Sequence, residues 1–397
     1  MGYNSYSTRR GPASRGRHFA PPRRQQRRPG QQYIDPAKFV KAAKEVIEAE
    51  AFVPQNLFTD FAIDERIKQN LVAKGYVAPS PIQDQTIPLG LSGKDVIGIA
   101  NTGTGKTAAF AVPVLQIAVT AGARALIIAP TRELAQQIDE EFRSIGKGSG
   151  LRGALLIGGA NIRPQLRDLK AKPEIVIGTP GRIKDHIERR TIDLSTFDTV
   201  VLDEVDRMLD MGFINDVREI LNSLAPQRQS FFFSATMEPK VKSLIETFSH
   251  EPVTVTVKTG ETSDSIHQDV IKYGGREEKL TQLHDLLLTP NVKAIVFDET
   301  QRSVERLSKE LVARGFDADD IHGGKTQGQR QRALDKFKKN QINILVATDV
   351  AARGIDVADV THVINYSQPQ TYEDYVHRIG RAGRAGRIGY AFTFVER

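Results

Sequence analysis

Residues 100–107 read Ala-Asn-Thr-Gly-Thr-Gly-Lys-Thr, a glycine-rich run closed by Lys106 and Thr107 that suits the cradling of a polyphosphate. Gly103 and Gly105 let the backbone wrap around phosphate oxygens, with Thr102 and Thr104 beside them. Lys106 is placed to reach the β and γ phosphates as a point charge, and the Thr107 hydroxyl is placed to ligate magnesium. The acidic run Asp203-Glu204-Val205-Asp206 supplies what such a loop lacks. Asp203 is the candidate magnesium carboxylate, held through water. Glu204 is the candidate base that orients and deprotonates a water attacking the γ phosphate in line.

These residues need a strand to carry them and a helix to follow. Residues 94–99 (KDVIGI) predict the strand, and the apolar run after Lys106 predicts a buried helix whose unpaired N–H groups and dipole face the loop. The acidic run follows TVVL at 199–202, at the strand end where α/β sheets bind ligands. Further apolar runs predict strands at 125–129, 153–158, 174–178, 230–234 and 253–257, then at 268–273, 294–297, 318–322, 342–348, 361–366 and 390–395. Continuous apolar strands alternating with helical patterns predict parallel sheets covered on both faces. The polar stretch 260–265 reads as a linker. The expected organisation is a tail over 1–34, a short helical lead-in over 35–51, an α/β domain over 52–259, the linker, and a second α/β domain over 266–397. Two doubly wound domains facing one another make a cleft.

The chain has 397 residues, a net charge of +7 and no cysteine. Disulfides, zinc–thiolate sites and thiol nucleophiles are therefore excluded. Residues 1–34 hold eight arginines and neither lysine nor acid, so without that +8 the remainder carries about −1. The tail is too poor in apolar residues to fold alone, and its arginines suit nucleic-acid phosphates. Pro12, Pro21, Pro22 and Pro29 interrupt the amphipathic helix that an organellar transit peptide needs. The uncharged run 107–123 contains Pro113, Gln116 and Thr120 and belongs to the core helix, so no membrane span is expected. A cytoplasmic monomer is the expected state.

Several separate segments resemble the DEAD-box RNA helicases, from about Phe52 to Arg397. Gly75-Tyr76-Val77-Ala78-Pro79-Ser80-Pro81-Ile82-Gln83 is similar to the family's adenine-reading element, with Phe58 seventeen residues before Gly75. The resemblance implies that the Gln83 amide matches the N6 and N7 edge of adenine and that Phe58 stacks on the base. Pro130-Thr131-Arg132-Glu133-Leu134-Ala135, Gly158-Gly159 and Thr179-Pro180-Gly181-Arg182 resemble its RNA-backbone elements. Ser234-Ala235-Thr236 resembles the element that links the acidic motif, through Asp206, to the second domain. Residues 346–356, with Thr348, Gly354 and Asp356, and 377–384, with His377, Arg381 and Arg384, look like the two signature elements of the second domain.

From this likeness Asp356 is expected at the ribose, Gln327 and Arg330 at RNA, and Arg381 and Arg384 as arginine fingers on the γ phosphate. Three positions depart from the family pattern: Ala is usual at Val205, Gln at Asn101, and an acidic residue in place of Gly324-Lys325. None removes a catalytic group, although Val205 is expected to alter packing behind the acidic pair. Family members commonly continue with a further helix beyond the position of Val395, which leaves a truncated chain or a minimal core as the two readings. The resemblance implies two tandem RecA-like domains, ATP and magnesium as cofactors, and RNA with little base preference as partner. The implied activity is ATP-dependent local unwinding of short RNA duplexes. The rivals are a DNA-directed translocase and an ATP-regulated RNA clamp or annealing protein.

Overall fold

The computed structural model describes residues 34–43, 52–101, 103–257, 265–352, 357, 359–383 and 387–397. The first sheet is built from β1 (Val96–Ile99), β2 (Ala125–Ile128), β3 (Gly153–Leu156), β4 (Ile175–Gly178), β5 (Thr199–Leu202), β6 (Gln229–Ser234) and β7 (Val253–Thr256). The second comprises β8 (Ile266–Tyr273), β9 (Ala294–Phe297), β10 (Ala318–Ile321), β11 (Ile344–Ala347), β12 (His362–Asn365) and β13 (Gly389–Glu396). Their orders are β3-β4-β2-β5-β6-β1-β7 and β10-β11-β9-β12-β13-β8. Every ladder between named strands is parallel. Strands such as ALII and TVVL are buried along their whole length because helices cover both faces of each sheet. The two α/β domains and every expected strand are present.

Each sheet carries one apolar layer per face. Phe110, Phe142 and Phe233 anchor one layer of the first sheet, and Phe197, Phe232 and Leu244 the other. The order places β6 between β1 and β5, so the loops after these three strands converge on one edge of the sheet. That edge carries the phosphate loop, the acidic run and the Ser234-Ala235-Thr236 turn.

Of the expected helical lead-in over 35–51, the described residues hold a 3₁₀ turn, Pro36–Phe39, capped by the Asp35 side chain, and residues 44–51 lie outside the described residues. The turn belongs to the second sheet, where Phe39 is buried with Ile266, Phe337 and Tyr375. Lys41 forms an antiparallel bridge with Gln268 on β8. The 1–33 part of the expected tail and the 260–264 part of the linker also lie outside the described residues. Among the described residues, no helix is long and apolar enough to cross a membrane.

Candidate active site

Gly103 and Gly105 adopt φ of +86° and +93°, a region in which side chains are strained. Gly105 caps the helix Lys106–Ala121, so the N-terminal N–H groups of that helix open into the turn. A Cβ on Gly105 would come 2.4 Å from the Gln83 amide nitrogen, so the neighbouring element also demands glycine here. Lys106 is buried and its Nζ has no hydrogen-bond partner, with the Asp203 carboxylate at 4.0 Å. A buried ammonium without a hydrogen-bond acceptor is costly, and a polyphosphate in the turn fits that need. Thr107 opens on the same cavity of about 380 Å³, beside Asp203 and Glu204. Thr102 lies outside the described residues.

Asp203 continues β5, its N–H donating to the Ile128 carbonyl. Burial pushes its carboxyl up to about 6, with Lys106 opposing and Glu204 adding to the rise. Glu204 is buried and sits at φ +54°, ψ +54°, a left-handed conformation that costs a non-glycine residue about 1–2 kcal/mol. The helix starting at Val205 holds it there, and Val205 itself is fully buried behind the acidic pair. Asp206 turns away from the cavity. Its carboxylate accepts from the Ala235 and Thr236 N–H groups, both at 3.0 Å, and from the Thr236 hydroxyl at 3.2 Å. Ser234 beside it is fully buried, with a hydroxyl that has no partner.

The upstream element meets the loop differently from the expectation. Gln83 accepts from the Ser80 N–H at 2.9 Å and donates to the Gly105 carbonyl at 3.0 Å, while the Ser80 hydroxyl donates to the Thr104 carbonyl. The Gln83 amide oxygen thus caps its own helix, while its nitrogen helps to shape the phosphate loop. Phe58 is 3% exposed and packs edge-on against Phe61 and Tyr76, leaving no face for a base. The aromatic bordering the cavity is Tyr76, whose hydroxyl donates to Glu141.

The segments expected at RNA follow the strand ends of the first sheet. Pro130 and Thr131 lead into the helix Arg132–Ile145, which the Thr131 hydroxyl caps. Gly159 has φ +72°, and a Cβ on it would overlap the Arg132 guanidinium that lies across Gly158 and Gly159. Arg182 donates weakly to Gln165 at 3.4 Å, Thr179 makes no side-chain capping bond, and Gly181 is exposed with open space around it. Gln327 and Arg330 are buried rather than turned outward. Arg330 pairs with Glu133 of the first domain at 2.8 Å, and Gln327 donates to Gln136 at 2.9 Å, because two buried cleft-facing charges must meet to offset their desolvation. Glu133 was not among the expected site residues. Its position beside Arg132 was the only hint in the sequence.

On the second domain, Thr348 follows β11 and leads into a short helix; Gly354, Asp356 and Arg384 lie outside the described residues. The helix Tyr372–Ile379 carries His377, and Arg381 follows it. Arg381 is buried in a small pocket of the second domain that it shares with Asp349, His377 and Arg378. The His377 Nδ1 is buried without a partner. Arg378, not singled out from the sequence, pins this helix through two bonds to Asp349 at 2.5 and 2.6 Å and one to the Ser367 carbonyl at 2.7 Å. Burial raises the carboxyl of Glu373 on the same helix, reinforced by Asp210 of the first domain.

The DEAD/DEAH box helicase family model matches residues 80–244, and the helicase conserved C-terminal domain model matches 278–386. The ATP-dependent RNA helicase CshA of Listeria monocytogenes is 48% identical over 344 residues, which are 85% of this chain and 66% of that protein. The chain belongs to the DEAD-box ATP-dependent RNA helicases. It spans about two thirds of the length of that relative. Among solved structures of this family, a DEAD box protein from Methanococcus jannaschii is 39% identical, with TM-score 0.52 over 87% of this chain and 94% of its own. Dbp5 of S. cerevisiae, bound to RNA and ADP BeF3, is 28% identical, with TM-score 0.77 over 86% of this chain and 90% of its own. The two RecA-like domains and the enzyme class of this chain follow from that membership.

Proposed function

We propose that this protein is an RNA-dependent ATPase that grips the RNA backbone in the cleft, closes its two domains over ATP and RNA, and opens short duplexes locally. The observation that carries the reading is the buried Lys106 ammonium, which has no hydrogen-bond partner, in a glycine turn beside Asp203 and Glu204. In this reading Lys106 and the N-terminal N–H groups of its helix hold the phosphates. Glu204, held by its left-handed backbone, orients the attacking water and takes its proton. Arg381, just after the helix Tyr372–Ile379, and Arg384 are the candidate fingers that stabilise charge developing on the γ phosphate. Thr107 and Asp203 would hold magnesium, which neutralises phosphate charge when bound. Gln83 serves ATP by fixing the loop, and Asp206 relays the state of the acidic run to the 234–236 turn. Arg132, Thr179, Gly181 and Arg182 present donors to RNA phosphates, and contacts of that kind carry no base information.

The Glu133–Arg330 pair joins the domains directly, which supports a closed arrangement.

The test is ATP hydrolysis and duplex release with single-stranded RNA or DNA of one sequence, for the parent and for Glu204→Gln. RNA should stimulate the parent far more than DNA does, and Glu204→Gln should bind ATP and RNA while hydrolysing on the order of 100-fold more slowly. Equal stimulation by DNA favours a translocase, strand annealing without duplex release favours a clamp, and a Glu204→Gln enzyme near the parental rate removes Glu204 as base.

A further inference from the structure

Residues 34–43 precede the first domain in sequence yet pack on the second, and they lie outside both family-model matches. Ile34 and Phe39 enter the apolar layer that contains Tyr375, and the Phe39 ring sits 4.7 Å from the Tyr375 ring, fully buried. Lys41 exchanges two backbone hydrogen bonds with Gln268, at 3.0 and 2.8 Å, on the edge strand β8. The Gln268 side chain in turn accepts from the Tyr375 hydroxyl at 2.9 Å, and the Lys38 ammonium lies 5.7 Å from the Tyr372 ring. Phe39, Lys38 and Lys41 thus converge on one helix, Tyr372–Ile379, which carries His377 and Arg378 and leads directly into Arg381.

We infer that residues 34–43 are a strap that positions the arginine-bearing helix of the second domain, with Phe39 as its anchor. The chain therefore passes from second domain to first between residues 43 and 52, and back between 257 and 265, so two covalent crossings connect the domains. The same helix is gripped from both sides: Phe39 packs on Tyr375, while Arg378 is tied to Asp349. A helix held this way presents Arg381 at a fixed depth, and releasing one grip lets it shift relative to the phosphates. Displacements of about 1 Å in a positioning element are enough to slow catalysis by about 100-fold. Phe39 touches no reacting atom and acts only through Tyr375.

The consequence for catalysis rests on the ATPase reading, whereas the docking of the strap does not. The chain has no cysteine, so an introduced pair reports cleanly. Val40 and Asp269 are both exposed and flank the Lys41–Gln268 bridge, at the position where antiparallel side chains approach without intervening hydrogen bonds. In the full chain, Val40→Cys with Asp269→Cys should form an intramolecular disulfide under mild oxidation, and the oxidised protein should keep RNA-stimulated turnover within about twofold of its reduced form. Phe39→Ala should lower turnover at saturating ATP and RNA by about tenfold, leave the RNA concentration at half-stimulation within about twofold, and recover substantially in Phe39→Leu. The idea is overturned if the disulfide does not form, if the oxidised protein is inactive while the reduced one works, or if folded Phe39→Ala turns over like the parent. Should the parent show no RNA-stimulated hydrolysis at all, the disulfide still decides whether the strap is docked, and the ATPase reading alone fails.

Discussion

Replacing Arg330 by Met keeps the aliphatic stem and removes the guanidinium that meets Glu133 across the domains. Both side chains are almost fully buried, 9% and 1% exposed, and the contact is 2.8 Å. Glu133 then keeps only Gln327 at 3.3 Å as a nearby donor on the second domain. Breaking a buried ion pair by removing one partner costs about 3–5 kcal/mol, since the remaining carboxylate stays desolvated. When the domains part, water reaches Glu133 again, so the cost falls on the closed arrangement alone. Three to five kcal/mol corresponds to a shift of about 150- to 5,000-fold in the open-to-closed equilibrium. With one fluorophore on each domain, the parent should reach the high-transfer state with a non-hydrolysable ATP analogue and RNA, and Arg330→Met should not reach it at the same concentrations. Removing Glu133 as well, in Glu133→Gln with Arg330→Met, should restore part of the closure because no uncompensated charge remains. Normal closure in Arg330→Met, or a double variant worse than the sum of the singles, refutes the assignment of this pair as an interdomain clasp.

Gly159→Ala should weaken RNA binding by about tenfold or more. Alanine at φ +72° costs about 1–2 kcal/mol, and its Cβ displaces the Arg132 guanidinium. The RNA concentration at half-maximal ATPase stimulation measures it, and an unchanged value removes Arg132 and the glycine pair from the RNA surface. His362 is buried, stacked 5.0 Å from the Tyr390 ring, and burial lowers its imidazole to about 4. The unfolded chain takes up this proton near pH 6.5 and the folded chain only near 4. The contribution is therefore complete above pH 6.5 and is lost as pH falls toward 4, by at most about 3 kcal/mol. Melting at pH 7 and pH 5 should fall less in His362→Phe than in the parent, and parallel losses would show that His362 titrates normally.

What the sequence determines here is local. A buried parallel strand needs an unbroken apolar run, and a phosphate turn needs glycines, a lysine and a helix start within eight residues, so the strands and the 100–107 turn were legible without coordinates. Asp203 and Glu204 were legible for the same reason, because a strand end fixes where they point. The tertiary structure decided whatever depends on a partner far along the chain. Phe58 reads as a stacking ring, but Phe61 and Tyr76 pack edge-on against it. Gln83 reads as a base contact, and only the fold shows that its amide nitrogen also donates to the Gly105 carbonyl at 3.0 Å. Arg330 reads as an RNA ligand, yet Glu133, 197 positions earlier, claims its charge. The lead-in carried no mark of its destination, because Phe39 is buried by Tyr375, which only the folded second domain brings within 4.7 Å. Burial and ion pairing are properties of neighbours, and for these residues the neighbours are chosen by how the sheets and domains meet, which no local pattern encodes.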